Sequence, residues 1–313
     1  MDMDGSITKE IESLLTESGL SEGVVSIING WLDSSFGSKG RYGWAQLTLI
    51  TCDSTGGVPE EGLRGAVAME LYALAADILD DIQDQDNNDL PWRKVPPAQG
   101  INLATCILVL SYKALSGLSN PRHFEEASKV FNQMGLQVCD GQFQEFLNDS
   151  KDRITLEEYF KVINKKSCGL TAGACKIGAI LGEADQTLVD RLEEFGMCLG
   201  MMGQIKNDLD DFLNLETKSD FIKGRKTLPF VYLLNVLDEI EAEELKYLST
   251  LAIKGLTNFG TNEKGQLREL VINEGTIHYC SVIHEMYMQR ALEIVNRIPI
   301  SEKSKEKLIQ LVG

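Results

Sequence analysis

Proline, histidine and tryptophan are scarce in this chain, and positive charge is in deficit. Seven prolines in 313 residues leave no proline-rich linker and permit long helices. Three histidines (His123, His278, His284) and seven cysteines never arranged as C-x-x-C give no zinc-site spacing. Lys+Arg is 30 against Asp+Glu 47, a net charge of −17. That deficit argues against nucleic acid, whose binding rests on neutralised phosphates, and against adsorption to an anionic membrane. It leaves a small phosphorylated substrate open, because bound cations invert a local field. No apolar run approaches the ~20 residues of a membrane span. The acidic start MDMDGSITKE lacks the apolar core of a signal peptide. Cys52, Cys106, Cys139, Cys168, Cys175, Cys198 and Cys280 are odd in number and sit mostly among apolar residues. They read as small buried hydrophobes in a reducing, cytoplasmic compartment.

What is present is helical. Leu63, Val67, Leu71, Leu74 and Ile78 recur at three- and four-residue steps and predict a helix over 60–86. Further helices are expected over 101–116 and 121–148. Thr155 and Glu158 form a capping box for a helix starting near 156. Thr187 to Asp190 resembles a similar start for a helix running to about 215. Strand signals are poor, and the irregular stretches are 34–43, 86–100 and 215–228. The expectation is one all-α domain over residues 1–313, a bundle of about ten helices around a central cavity.

Two acidic clusters carry the chemistry. Asp77, Asp80, Asp81, Asp84 and Asp86 lie at the end of an apolar helix, and Asp77, Asp80 or Asp81, and Asp84 share a face. Like charges at that spacing repel and need a reason. The second cluster, Asn207, Asp208, Asp210 and Asp211 with Gln204, ends another apolar helix. A solvated helix end is the bland account of either one. If the two face each other, they form an oxygen-lined mouth suited to Mg²⁺ and substrate phosphate. Basic residues to meet an anion stand in three places: Lys39 with Arg41 in a glycine-rich loop, Lys165–Lys166, and Lys223, Arg225 and Lys226.

Asp80, Asp81 and Asp84 in D-D-x-x-D spacing resemble the first aspartate-rich motif of the polyprenyl synthetase (trans-isoprenyl diphosphate synthase) family. Gly203-Gln204-Ile205 with Asn207-Asp208-Leu209-Asp210-Asp211-Phe212 resembles the second. Lys166-Ser167-Cys168-Gly169-Leu170 is similar to the family's K-T-x-x-L segment. Gly224-Arg225-Lys226-Thr227-Leu228-Pro229 is similar to G-K-x-T-L-P, and Gly141-Gln142 with Glu145 to G-Q-x-x-D. The resemblance implies a class I isoprenoid synthase fold, Mg²⁺ as cofactor, an allylic prenyl diphosphate as substrate and a homodimer. It implies that Asp80, Asp81, Asp84, Asp208 and Asp211 face metal. Lys39, Arg41, Arg93, Lys166, Gln204, Arg225 and Lys226 would bind substrate. Asp80, Asp81, Asp84, Lys166 and Asp208 would carry catalysis.

The sequence departs from chain-elongating members. Where they place two arginines after the first motif, this chain has Asp89 and Leu90, with Arg93-Lys94 the nearest basic pair. Where they place a histidine that helps hold isopentenyl diphosphate, it has Ala73. Their N-terminal G-K-x-x-R-P segment is blurred into Gly37-Ser38-Lys39-Gly40-Arg41. The allylic side is retained and the isopentenyl diphosphate side eroded. DDIQDQDNNDLPW resembles the first motif of the ComQ-like isoprenyl transferases of quorum sensing, which prenylate a tryptophan of a pheromone precursor peptide. Ala75 and Ala76 stand where bulky residues floor the prenyl pocket, which favours farnesyl at least as much as geranyl. Tyr72 or Leu71 is left to close it. The rival readings are a chain-elongating polyprenyl diphosphate synthase and a terpene cyclase. Against the cyclase, Asp211 stands where Ser or Thr is usual and Glu216 comes one residue late. A non-catalytic subunit would have lost the aspartate motifs.

Overall fold

The computed structural model describes residues 3–34, 42–85, 87–214, 220–255 and 259–313. Lys39, Arg41 and the glycine-rich loop around them, together with Asp86 and Glu216, lie outside the described residues. Among those described there are fifteen α-helices, one short 3-10 helix (Pro91–Arg93) and no strand. In chain order the helices are α1 (Met3–Thr16), α2 (Glu22–Ser34), α3 (Gly43–Ser54), α4 (Pro59–Asp84), α5 (Pro97–Leu115), α6 (Pro121–Asp149), α7 (Leu156–Lys165), α8 (Ser167–Leu181), α9 (Gln186–Leu213), α10 (Asp220–Lys223), α11 (Leu228–Val236), α12 (Glu239–Ile253), α13 (Thr261–Asn273), α14 (Thr276–Arg297) and α15 (Glu302–Ile309). The all-α expectation holds. The chain divides into two compact units: Met1–Met134 with Leu170–Gly196 and Ile294–Gly313, and Gly135–Gly169 with Met197–Glu293.

In the first unit α4 is the central helix. Pro59 opens it at a position that needs no N–H donor, and Glu60 and Glu61 suit its positive end. From Gly65 to Ala75 every residue is buried, so the helix is enclosed on all faces. Glu61 accepts hydrogen bonds from Ser119 N (2.7 Å), Ser119 Oγ (2.6 Å) and His123 Nδ1 (3.0 Å), which pins the turn between α5 and α6. Glu70 accepts from Ala45 N at 2.9 Å and so caps α3 from the flank of α4. The preceding residue, Tyr42, is left-handed (φ 59°) and supplies no side-chain cap. Among the described residues α5 alone has the length and composition of a membrane span. It turns Leu103, Ala104, Ile107 and Leu110 inward but leaves Ile101, Val109 and Tyr112 exposed, so the apolar helix expected to be of a buried type is buried on one face only, and its length corrects the expectation that no run comes near a span.

In the second unit α7 begins at the expected capping box. Glu158 N donates to Thr155 Oγ1 (3.1 Å) and Thr155 N to Glu158 Oε2 (2.8 Å). Its inner face, Tyr159 and Ile163, joins Ile154, Cys168, Met201, Ile205, Leu228, Val231 and Cys280 in one core. A second core gathers Phe212, Phe221, Phe230 and Phe259, with rings 5.6–5.7 Å apart.

Two local expectations need correction. Helix α9 starts at Gln186, and its cap is Asp185, whose Oδ1 accepts from Leu188 N at 2.9 Å, not Thr187. The short Asp carboxylate after the turn at 182–184 reaches the free amides first. Cys52, Cys168, Cys175, Cys198 and Cys280 are buried as expected, but Cys106 is half-buried and Cys139, on the outer face of α6, is exposed. Burial pushes the Cys52, Cys168, Cys175 and Cys280 thiols up to about 12.

Candidate active site

The first acidic cluster occupies the last turns of α4, in the first unit. A helix C-terminus carries partial negative charge, so carboxylates there oppose the macrodipole and call for a cation or buried donors beside them. The structure divides the three aspartates. Asp81 turns inward and is 7% exposed. Its Oδ1 accepts from Asn87 Nδ2 at 2.6 Å and its Oδ2 from Trp92 Nε1 at 2.7 Å. Trp92 is itself buried, edge-on to Trp31 at 6.0 Å. Asp80 and Asp84, one turn apart and half-buried, bring carboxylate oxygens within 4.8 Å of each other. That all-oxygen pair fits a hard divalent cation such as Mg²⁺. Arg93, at the end of the 3-10 helix, donates from Nη2 to Asn88 Oδ1 at 3.1 Å, and its buried Nε has no hydrogen-bond partner.

The second unit holds the second acidic cluster and two basic segments. Asp208, near the C-terminal end of α9, is 3% exposed. Its Oδ2 accepts from Tyr159 Oη (2.6 Å) and Leu228 N (2.7 Å), and its Oδ1 from Gln204 Nε2 (2.6 Å). Desolvation raises the Asp208 carboxyl above its ordinary range against those three donors. It also pushes the Tyr159 phenol well above its own, with the Asp208 charge adding to the shift. Asn207 and Asp210 are exposed. Asp211 is half-buried and accepts from the backbone N of Asp220.

Lys166, directly after α7, donates to Glu145 on α6 at 2.5 Å. Gly141 allows the approach: a Cβ there would lie 2.9 Å from Lys166 N and 3.0 Å from Lys165 Cβ. Ser167 Oγ donates to Gln204 Oε1 at 2.6 Å. Arg225 pairs with Asp149 at 2.6 Å. Lys226 lies 5.2 Å over the Phe230 ring, with its pKa lowered by burial. Gly224 turns the chain into this segment with φ 77°, a left-handed conformation that favours glycine.

Residues 25–253 match the model of the family described as Polyprenyl synthetase, well over half of the chain. The chain belongs to the polyprenyl synthetase family. It is a prenyltransferase. A tryptophan prenyltransferase ComQ from Bacillus subtilis (strain 168) is 28% identical over 279 residues, covering 88% of this chain and 88% of that protein. A geranylgeranyl diphosphate synthase from Saccharolobus solfataricus is 26% identical over 285 residues, covering 85% and 83%. The crystal structure of a polyprenyl synthetase from Streptomyces coelicolor A3(2) superposes with TM-score 0.82 at 22% identity, over 99% of this chain and 96% of that one. That likeness establishes the isoprenoid synthase fold alone.

Of the residues that the polyprenyl synthetase resemblance singled out, Asp80 and Asp84 come together on α4. Gln204, Asp208 and the step after Lys166 form one hydrogen-bonded group in the second unit. Arg93 sits apart from the Lys166 and Arg225 segments in sequence and lies in the first unit. Lys39 and Arg41 lie outside the described residues. Ala73 and Ala75 are buried on α4, and Tyr72 beside them stacks edge-on against Phe131 at 5.3 Å. Sequence reasoning missed Tyr159 and Glu70. Tyr159 meets its partner Asp208 from 49 residues away, and nothing in its local sequence announces that contact. Glu70, one charge inside a run of apolar residues, was a visible signal left unread.

Proposed function

We propose that the chain transfers a geranyl or farnesyl group from its allylic diphosphate to a tryptophan of a short peptide, in a Mg²⁺-dependent reaction in the cytoplasm. The observation that carries the reading is what stands where a second diphosphate would need cations. Ala73 is a buried methyl, Asp89 is an exposed carboxylate and Leu90 is half-buried. Both acidic motifs remain. The similarity to proteins named tryptophan prenyltransferase ComQ, at 28% identity over most of both chains, points the same way.

Asp80 and Asp84 in the first unit, and Asp211 in the second, are the carboxylates that would hold metal, and Mg²⁺ when bound would supply charge stabilisation for the departing diphosphate. Lys166, Arg225 and Lys226 bind the diphosphate oxygens, exchanging their Glu145 and Asp149 partners for substrate. The carbon–oxygen bond at C1 breaks with its electron pair leaving on pyrophosphate. The indole supplies the pair for the new carbon–carbon bond, and a proton departs to balance charge. An allylic cation must be kept from water, and the apolar residues around Tyr72 on α4 would serve that end.

Turnover with Mg²⁺ and farnesyl or geranyl diphosphate is run with no acceptor, with isopentenyl diphosphate, and with a Trp-containing pheromone precursor peptide. Prenyl mass on the peptide, lost in Asp80→Ala, is the expected result. Longer prenyl diphosphates formed only with isopentenyl diphosphate would mean a chain-elongating synthase instead. A hydrocarbon or alcohol without acceptor would mean a cyclase. The active form is a homodimer on this reading. An exposed apolar stripe on α6 of Leu136, Phe143 and Leu147, one and two turns apart, supports it.

A further inference from the structure

We propose that Asp208 is a positioning residue that fixes the two basic diphosphate-binding segments, and that it does not itself hold metal. The inference rests on the prenyl diphosphate reading above. Both Asp208 oxygens are engaged and the residue is closed to solvent. Asn207, Asp210 and Asp211, around it on α9, are the more exposed members of the motif.

The donors come from three places. Tyr159 belongs to α7, whose last residue, Lys165, is followed by Lys166. Gln204 sits one turn back on α9 and also receives Ser167 Oγ, the residue after Lys166. Leu228 N opens α11, directly after Arg225, Lys226 and Thr227. A helix of this kind is ordinarily capped by its own preceding residue. Thr227 makes no side-chain cap, and its buried Oγ1 has no partner. The Asp208 carboxylate does that work from α9 instead. One side chain thereby ties the Lys166 corner and the Arg225–Lys226 segment to the helix that carries the second acidic motif. A carboxylate offers about four acceptor sites; three of those on Asp208 are taken by inward donors and the side chain is closed to solvent.

The test compares Tyr159→Phe, which keeps the buried ring and removes one donor, with Asp208→Asn and Asp211→Asn. Three quantities are read: backbone hydrogen exchange over residues 225–231 without ligand, KM for farnesyl diphosphate, and the Mg²⁺ concentration for half-activation. Tyr159→Phe and Asp208→Asn are expected to speed exchange over 225–231 by about tenfold, the scale of one lost local contact. They should raise KM by roughly tenfold, with kcat less affected and the Mg²⁺ requirement within about twofold of wild type. Asp211→Asn should move the Mg²⁺ requirement instead. Asp208→Asn shifting the Mg²⁺ requirement as Asp211→Asn does, with KM unchanged, would make Asp208 a ligand and overturn the proposal. So would unchanged exchange over 225–231 in Tyr159→Phe, which serves even if Asp208→Asn fails to fold. A wild-type protein inert toward every prenyl diphosphate would defeat the reading of function. The exchange measurement alone would then decide whether Asp208 holds the two segments.

Discussion

Replacing Glu70 by glutamine should stabilise the protein strongly at pH 8 and only slightly at pH 5. Glu70 is 6% exposed on α4, surrounded by apolar side chains. Desolvation outweighs the hydrogen bonds from the Ala45 and Trp44 backbone and, with the Asp4 charge, pushes its carboxyl up to about 7. An unfolded Glu titrates near 4.3. Between those values the native state binds a proton that the unfolded state has released, so stability falls as pH rises through the window. The penalty is absent below the unfolded value and complete above the folded one. At 1.36 kcal/mol per unit, the gap is worth about 4 kcal/mol. Glutamine carries no charge to desolvate, and its Oε1 still accepts from Ala45 N, 2.9 Å away from Glu70 Oε2 in the native structure. Urea unfolding at pH 5, 6, 7 and 8, followed by circular dichroism for both proteins, gives the difference directly. Taking that difference removes the self-repulsion of a chain at net charge −17. A gap growing from about 1 kcal/mol at pH 5 to about 3.5 kcal/mol at pH 8 is expected. A variant no more stable than wild type at pH 8, or a gap independent of pH, would show that Glu70 is ionised in place and refute the reasoning.

Two further outcomes follow from named contacts. Trp92→Phe removes the indole donor 2.7 Å from buried Asp81 and should cost about 2–3 kcal/mol, the range for a hydrogen bond to a charged group. Chemical denaturation checks this, and a loss below about 0.5 kcal/mol would place Asp81 in contact with solvent. On the proposed homodimer, Phe143→Asp combined with Leu136→Glu, both on the exposed stripe of α6, should give monomers by light scattering where wild type gives dimers, with helicity retained. An unchanged dimer mass would put the interface elsewhere.

The helices were legible because their signals are local. The apolar spacing of Leu63 to Ile78 gave α4 to within two residues of its ends, and Thr155 with Glu158 gave the start of α7 in full. The motifs named the candidate site's residue types and order, because each is a short run within one helix or turn. What stayed hidden depends on contacts between distant segments. Asp80 and Asp81 are adjacent and chemically identical, yet one turns to the helix surface and the other to Asn87 and Trp92. Asp208 and Asp211 divide in the same way, and the decisive donor, Tyr159, stands 49 residues away. Neither spacing nor composition carries that information. Helical position gives the face of a side chain, and only the packed neighbours decide whether that face is wet.

The acceptor is where the electrostatics bear hardest. A diphosphate entering a chain of net charge −17 needs local cations to offset the field. On the proposed reading Lys166 and Arg225, in the second unit, would meet that need; each pairs with a carboxylate, Glu145 or Asp149. A second diphosphate would double the demand and would want its own donors at positions 73, 89 and 90. Ala73 has none, Leu90 has none, and exposed Asp89 repels. An indole is neutral and makes no such demand. It needs an apolar wall and exclusion of water, and α4 carries no charge between Leu71 and Ala75. The same substitutions that would cripple a chain-elongating synthase therefore cost a peptide-modifying enzyme little.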